Sequence, residues 1–154
     1  MTVKVVERRV DRSALRTNQA FIIGLLILAF VLNSPLLVAF VAAVMLVGTA
    51  MPRLALFQDI YRNLLRPSGL VRPDVIEDNP EPHRFAQGFG GTVLLLSILS
   101  FLTGLAVLGW ALTWLVVALA ALNLFLGFCA GCFVYYQLNR LGVPGFRYSP
   151  VRQR

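Results

Sequence analysis

The run TNQAFIIGLLILAFVLNSPLLVAFVAAVMLVGTAMP, residues 17–52, holds no charged side chain and decides the class of fold. As one straight helix its roughly 35 residues would extend about 52 Å, against a bilayer hydrocarbon core of about 30 Å. Asn33, Ser34 and Pro35 interrupt it near the middle. Proline disfavours helical geometry at the residue before it, and Asn and Ser favour turns and caps. The reading is a hairpin of two short transmembrane helices, 17–32 and 35–51, accommodated by local thinning of the bilayer or not reaching fully across. A second uncharged stretch, residues 85–139, holds a second hairpin. Its first helix starts near His83 and runs to Leu108, the turn falls at 109–113, and the next helix continues to Leu138. Trp110 and Trp114 are placed as interfacial anchors.

Outside these runs the chain is polar. A basic lead-in, residues 1–16, precedes the first hairpin (17–51), and a loop, residues 52–84, separates it from the second (85–138). A basic tail, 139–154, closes the chain. The loop carries Leu54, Leu56, Phe57, Ile60, Tyr61, Leu64 and Leu65 at helical spacing until Pro67, Ser68 and Gly69 stop the pattern, which predicts an interfacial helix. Asn79 followed by Pro80 and Pro82 reads as a cap and first turn. All 14 basic residues fall in the lead-in, the loop and the tail, and none in the hairpin turns. That distribution predicts an all-α polytopic protein with four spans in two hairpins. By the positive-inside rule the loop and both termini are cytoplasmic and the membrane is the plasma membrane.

Composition supports lipid as the main solvent: 58% of residues are hydrophobic, 14% are charged and the mean hydropathy is +0.75. Apolar segments make up most of the chain, so a cleavable leader is not expected. The net charge of +7 suits orientation and anionic lipid, and nucleic acid is not an expected partner.

The segment Gly127-Phe128-Cys129-Ala130-Gly131-Cys132-Phe133 carries the chemistry. Read as part of the fourth helix, Cys129, Cys132 and Tyr136 share one stripe with Phe125 and Arg140. Side chains three apart sit farther from each other than a disulfide prefers, so oxidation needs local unwinding, which Gly131 supplies. On this reading the thiols lie at the negative end of the helix, and His83 and Arg84, with Arg140, have to supply thiolate support. Three uses stay open: a thiol–disulfide redox pair, simple packing, and a metal or cluster site. A zinc site needs two ligands beyond the cysteines, and His83 is the only histidine. Phe133 after the second cysteine disfavours haem attachment.

Gly127-x-x-x-Gly131 is a small-residue face for close helix packing, within the bundle or in a homo-oligomer, and Asn123 is expected to hydrogen-bond across helices. Gly88-Phe89-Gly90-Gly91 lacks the preceding strand of a phosphate loop and reads as another close-packing site.

The segments Glu77-Asp78-Asn79-Pro80-Glu81-Pro82-His83-Arg84-Phe85-Ala86-Gln87 and Phe128-Cys129-Ala130-Gly131-Cys132-Phe133, with Asn18-Gln19 upstream, resemble the bacterial membrane family catalogued as domain of unknown function 4395. The resemblance covers about residues 11–141, with His83 filling the position between proline and arginine. It implies an association with thioredoxin-like or sulfur-transfer proteins, and it carries over Cys129 and Cys132 together with Asn18, Gln19, Pro82, Arg84 and Gln87. The leading expectation is a membrane thiol–disulfide or sulfur-relay component working with a cytoplasmic thioredoxin-like partner. Cys132, nearer the surface, would attack, and Cys129 would resolve or pass electrons to a membrane quinone. The alternative is a non-catalytic subunit or assembly factor of a larger membrane complex, with both cysteines dispensable. A transporter ranks last and requires Asn123, Ser97, Ser100 and Thr103 to line a polar path.

Overall fold

A computed structural model of the chain describes residues 9–146. The first half of the basic lead-in and the end of the basic tail lie outside the described residues. Strand β1 (Arg9–Asp11) leads into α1 (Arg12–Val31) and α2 (Pro35–Ala50), and short α3 (Leu56–Ile60) runs on into a wide helical turn, Tyr61–Leu65. Strand β2 (Val75–Glu77) precedes α4 (Pro80–Leu102), α5 (Ala106–Leu126) and α6 (Ala130–Arg140). The protein is therefore almost all helical. The exception is the antiparallel pair β1–β2, with Val10 opposite Ile76, which ties the start of α1 to the end of the central loop.

Four long helices form a ring in which α1 packs on α2 and α5, and α4 packs on α2, α5 and α6. The core is aliphatic, with Ile22, Leu26 and Ala29 facing Val38, Val41 and Met45, closed by Leu94, Val116 and Ala120. The outer faces are apolar as well, with Leu28, Phe40, Leu95, Leu99 and Leu115 exposed. A bundle that is apolar inside and out is at home in a bilayer. Three helices, α1, α4 and α5, are long and apolar enough to cross a membrane, while α2, with 16 residues, is apolar but shorter.

The first hairpin turns where the sequence places it. Asn33 takes a left-handed conformation (φ 47°), Ser34 N–H reaches back to the Ala29 carbonyl at 2.8 Å, and Pro35 opens α2. Its first helix is longer than expected, because the basic residues from Arg12 onward are already helical. Asp11 makes this possible, since its carboxylate caps the Ser13 and Ala14 amides at 2.9 and 3.4 Å. The same carboxylate accepts from the Tyr61 hydroxyl at 3.1 Å, so the cap also pins the central loop. Burial first, and the Asp11 hydrogen bond next, push the Tyr61 phenol above its usual value. Asp11→Ala is expected to cost about 1–2 kcal/mol, the usual worth of such a cap, read as a lower thermal midpoint in detergent.

The second hairpin corrects the expectation. α4 stops at Leu102 and the turn lies at Thr103–Gly104, ahead of Gly109. Gly104 has φ +80°, and Leu105 N–H bonds the Ser100 carbonyl at 2.8 Å, a helix-terminating pattern that glycine satisfies without strain. Gly109 is instead a packing residue, because a Cβ there would lie 2.6 Å from the Phe101 ring. Trp110 sits edge-on to Phe30 and Phe101, and so belongs to the packing between hairpins. Gly88, Gly90 and Gly91 behave as expected for close packing, leaving room for Thr49, Met45 and Leu46.

Candidate thiol site

The fourth helix does not continue through the cysteines. α5 ends at Leu126, Gly127 takes φ +66°, and its amide closes on the Asn123 carbonyl at 3.1 Å. The chain then restarts as α6 with Cys129 as the residue before its first turn, its sulfur accepting from the Cys132 amide at 3.2 Å. This overturns three expectations together. Cys129 and Cys132 are not on a continuous helix stripe with Phe125. Gly127 is a turn residue at which an added Cβ would meet nothing within 4 Å, not half of a packing face. The pair also sits at the positive, N-terminal end of a helix, where anionic sulfur is favoured, and not at a negative end.

The break also answers the distance problem. With Cys129 extended (φ −90°, ψ 100°), the two Cα atoms are 5.1 Å apart and the sulfurs are joined as a disulfide. Cys132 is 7% exposed whereas Cys129 is half-buried, so Cys129, not Cys132, is the sulfur that faces outward.

α6 turns back onto the first turns of α4, and Gly131 permits the contact: a Cβ there would meet the Ala86 backbone at 2.6 Å. That approach brings His83 Nδ1 to 3.4 Å from Cys132 Sγ. On its other side, His83 Nε2 lies 3.0 Å from Asp78 Oδ2. A carboxylate accepts only, so Nε2 carries a proton; in the neutral ring Nδ1 then presents its lone pair to sulfur, and in the protonated ring it presents a proton. His83 Nδ1 and the two sulfurs lie within 4.8 Å of one another, the start of a metal-ligand set. Close by, burial first and the Asp78 charge next push the Tyr136 phenol up, while a hydrogen bond with Asn79 opposes them. Asn79 occupies the cap position of α4 without capping it through its side chain.

A family profile described as Domain of unknown function (DUF4395) matches residues 10–140, from β1 through the end of α6. The chain belongs to the DUF4395 family. Neither a curated protein nor a solved structure matches it. Within the DUF4395 match, the resemblance singled out seven positions, and the fold brings most of them to one end of the bundle. Cys129, Asn18, Gln19 and Gln87 line a cavity of about 230 Å³ with Asn123 and Gly131. Pro82 is buried in the first turn of α4.

Arg84 departs from its expected role. Its guanidinium donates to the Thr49 carbonyl at 2.7 Å, tying α4 to the end of α2. With its guanidinium engaged at the end of α2, Arg84 makes no contact with the Cys132 sulfur comparable to that of His83. Asn123 faces the cavity and makes no side-chain hydrogen bond across helices among the described residues. Nor do Ser97, Ser100 and Thr103 join Asn123 in the cavity lining. Ser97 donates to the Gly109 carbonyl at 2.7 Å and meets Thr113 at 2.9 Å, and Ser100 and Thr103 bond the carbonyls of their own helix. Sequence reasoning assigned no role to Asp78, the carboxylate that meets His83. The usable signal was a carboxylate just before the Asn79-Pro80 helix start, within reach of a histidine in the first turn.

Proposed function

We propose that this DUF4395 protein is a four-span plasma-membrane protein, both termini cytoplasmic, whose Cys129–Cys132 pair cycles between disulfide and dithiol by exchange with a thioredoxin-like partner. One observation carries the reading: the pair sits at the N-terminus of α6 with an Asp78–His83 chain reaching the Cys132 sulfur. Cysteines that only fill space need neither the helix terminus nor the histidine. The fourth span is α2, about 24 Å long at ~1.5 Å per residue, which a locally thinned bilayer accommodates. The short helix after residue 55 lies at the headgroup level on the charged side.

In the reductive direction the partner's thiolate attacks Cys129 Sγ, forming a mixed disulfide and releasing the Cys132 sulfur as a thiolate, which takes a proton from protonated His83. The partner's second thiol then attacks its own sulfur of the mixed disulfide, becoming oxidised and leaving Cys129 as a thiolate at the start of α6. In reverse, His83 takes the Cys132 proton so that this sulfur attacks the mixed disulfide. A sulfur relay would use the same Cys129, the more accessible of the two sulfurs, taking the outer sulfur of a donor persulfide and releasing the donor thiol.

Cys132→Ser removes the resolving sulfur, so when reduced membranes are incubated with the oxidised, disulfide form of a thioredoxin-like protein and quenched by alkylation, attack of Cys129 on that disulfide is expected to leave a disulfide-linked adduct, and mass spectrometry separates it from a persulfide. Cys129→Ser is expected to give no adduct. If neither variant is trapped and both thiols stay reduced and inert in oxidised and reduced cells, the subunit reading takes over. A second reading, a metal bound by His83, Cys129 and Cys132, rests on their mutual closeness. Stoichiometric zinc uptake by the reduced protein, lost in His83→Ala, would favour it.

A further inference from the structure

The cavity beside Cys129 is built for a ligand that thiol exchange with a protein does not require. It lies between α1, α4, α5 and α6, and no charged residue lines it. Its polar groups are carboxamides: Asn18, Gln19, Gln87 and Asn123. Asn18 is 4% exposed as a residue and its side chain makes no hydrogen bond among the described residues, so its amide opens onto the cavity and is available to a ligand there. Gln87 spends one amide proton on the Met45 carbonyl at 3.2 Å and keeps its own carbonyl oxygen for another donor. The remaining wall is apolar, including Ile22, Met45 and Phe89. Phe89 and Val134 line the cavity and are also exposed on the outer surface, so the space reaches the apolar face of the bundle.

These features select the ligand's chemistry. An uncharged wall takes a neutral molecule, unpaired amides take carbonyl or hydroxyl groups, and the apolar mouth takes a hydrocarbon tail. An apolar cavity of about 150 Å³ already holds a benzene ring, so about 230 Å³ accommodates one substituted ring. The sulfur at the wall belongs to a couple that moves two electrons and two protons. We propose that the cavity binds the head of a lipid-soluble quinone, which oxidises the Cys129–Cys132 dithiol or, as the quinol, reduces the disulfide. In the oxidising direction the two S–H bonds break and one S–S bond forms, while two electrons and two protons convert the two ring carbonyls into hydroxyls. This rests on the thiol-exchange reading and deepens it by giving the pair a membrane-side reactant.

The test uses the full chain in lipid nanodiscs, reduced and freed of reductant, with decylubiquinone as probe, a fully substituted quinone to which thiols do not add. Loss of quinone absorbance and formation of the disulfide are read together, one quinol being expected per disulfide. Asn18→Leu is expected to slow the reaction about tenfold, the loss of one hydrogen bond, while exchange with dithiothreitol keeps its rate. Val134→Trp, which fills the mouth from an exposed position, is expected to slow it as well and stands in if Asn18→Leu does not fold. A reduced pair that ignores the quinone yet exchanges with dithiothreitol overturns the quinone site and leaves the exchange reading intact. Oxidation at an unchanged rate in both variants overturns it too. A pair inert to both reagents overturns the exchange reading itself.

Discussion

His83→Ala is expected to slow disulfide exchange at Cys129–Cys132 about a hundredfold at neutral pH, the usual scale for removing a positioned proton carrier. The reason is geometric. Cys132 is buried, so when its sulfur leaves or attacks, its proton has few places to go, and His83 Nδ1 at 3.4 Å is the group in reach. Asp78 fixes which nitrogen faces the sulfur. Asp78→Asn, whose amide can donate to Nε2 and favour the other tautomer, is expected to lose roughly tenfold or more, by the same logic that penalises a wrong tautomer in any histidine-based site. Stopped-flow exchange of the reduced and oxidised protein with a dithiol checks both. Wild-type rates in both variants would remove histidine from the mechanism.

Gly131→Val is expected to damage the site from a distance. A Cβ at this position meets the Ala86 backbone at 2.6 Å, and backbone cannot swing aside as a flexible side chain would, so α6 must lift from α4. Overpacking of this kind typically costs about 1–3 kcal/mol. Because α6 carries Cys132 and α4 carries His83, the same shift should open the sulfur–imidazole contact and slow exchange toward the His83→Ala level. Gly127→Ala makes the contrast. It meets no neighbour and suffers only its left-handed backbone, worth about 1–2 kcal/mol, so exchange should persist in whatever protein folds. Thermal midpoints and exchange rates measured together separate the two. Equal exchange rates in Gly131→Val and wild type would mean that α6 does not position the pair.

The transmembrane character and the first turn were legible because they depend on local chemistry. Long uncharged runs leave few alternatives to lipid, and Asn33-Ser34-Pro35 carries a left-handed residue and a helix-opening proline within three positions. The DUF4395 membership was legible in the same way, through short motifs read directly from residues 77–87 and 128–133. The second turn was misplaced although Thr103-Gly104 was visible, because two glycines five apart offer the same local freedom. Packing of Phe101 against Gly109 decides which one turns the chain and which one is covered.

The break at Gly127 depended most on tertiary structure. Residues 123–138 suit a helix throughout, so sequence alone carried the fourth helix through the cysteines and gave the thiols the wrong end of the dipole. What ends α5 there is the better burial available when α6 folds back, with Cys132 and Tyr135 buried and Gly131 against Ala86. Composition and local motifs were enough to read a membrane-type chain, apolar helical hairpins and one Cys-x-x-Cys pair. Helix packing, in contrast, sets which sulfur is the more accessible, which histidine nitrogen meets the other, and that Asn18, Gln87 and Asn123 share one cavity. These are contacts between residues 36 to 105 positions apart, fixed by helix packing that no local pattern encodes.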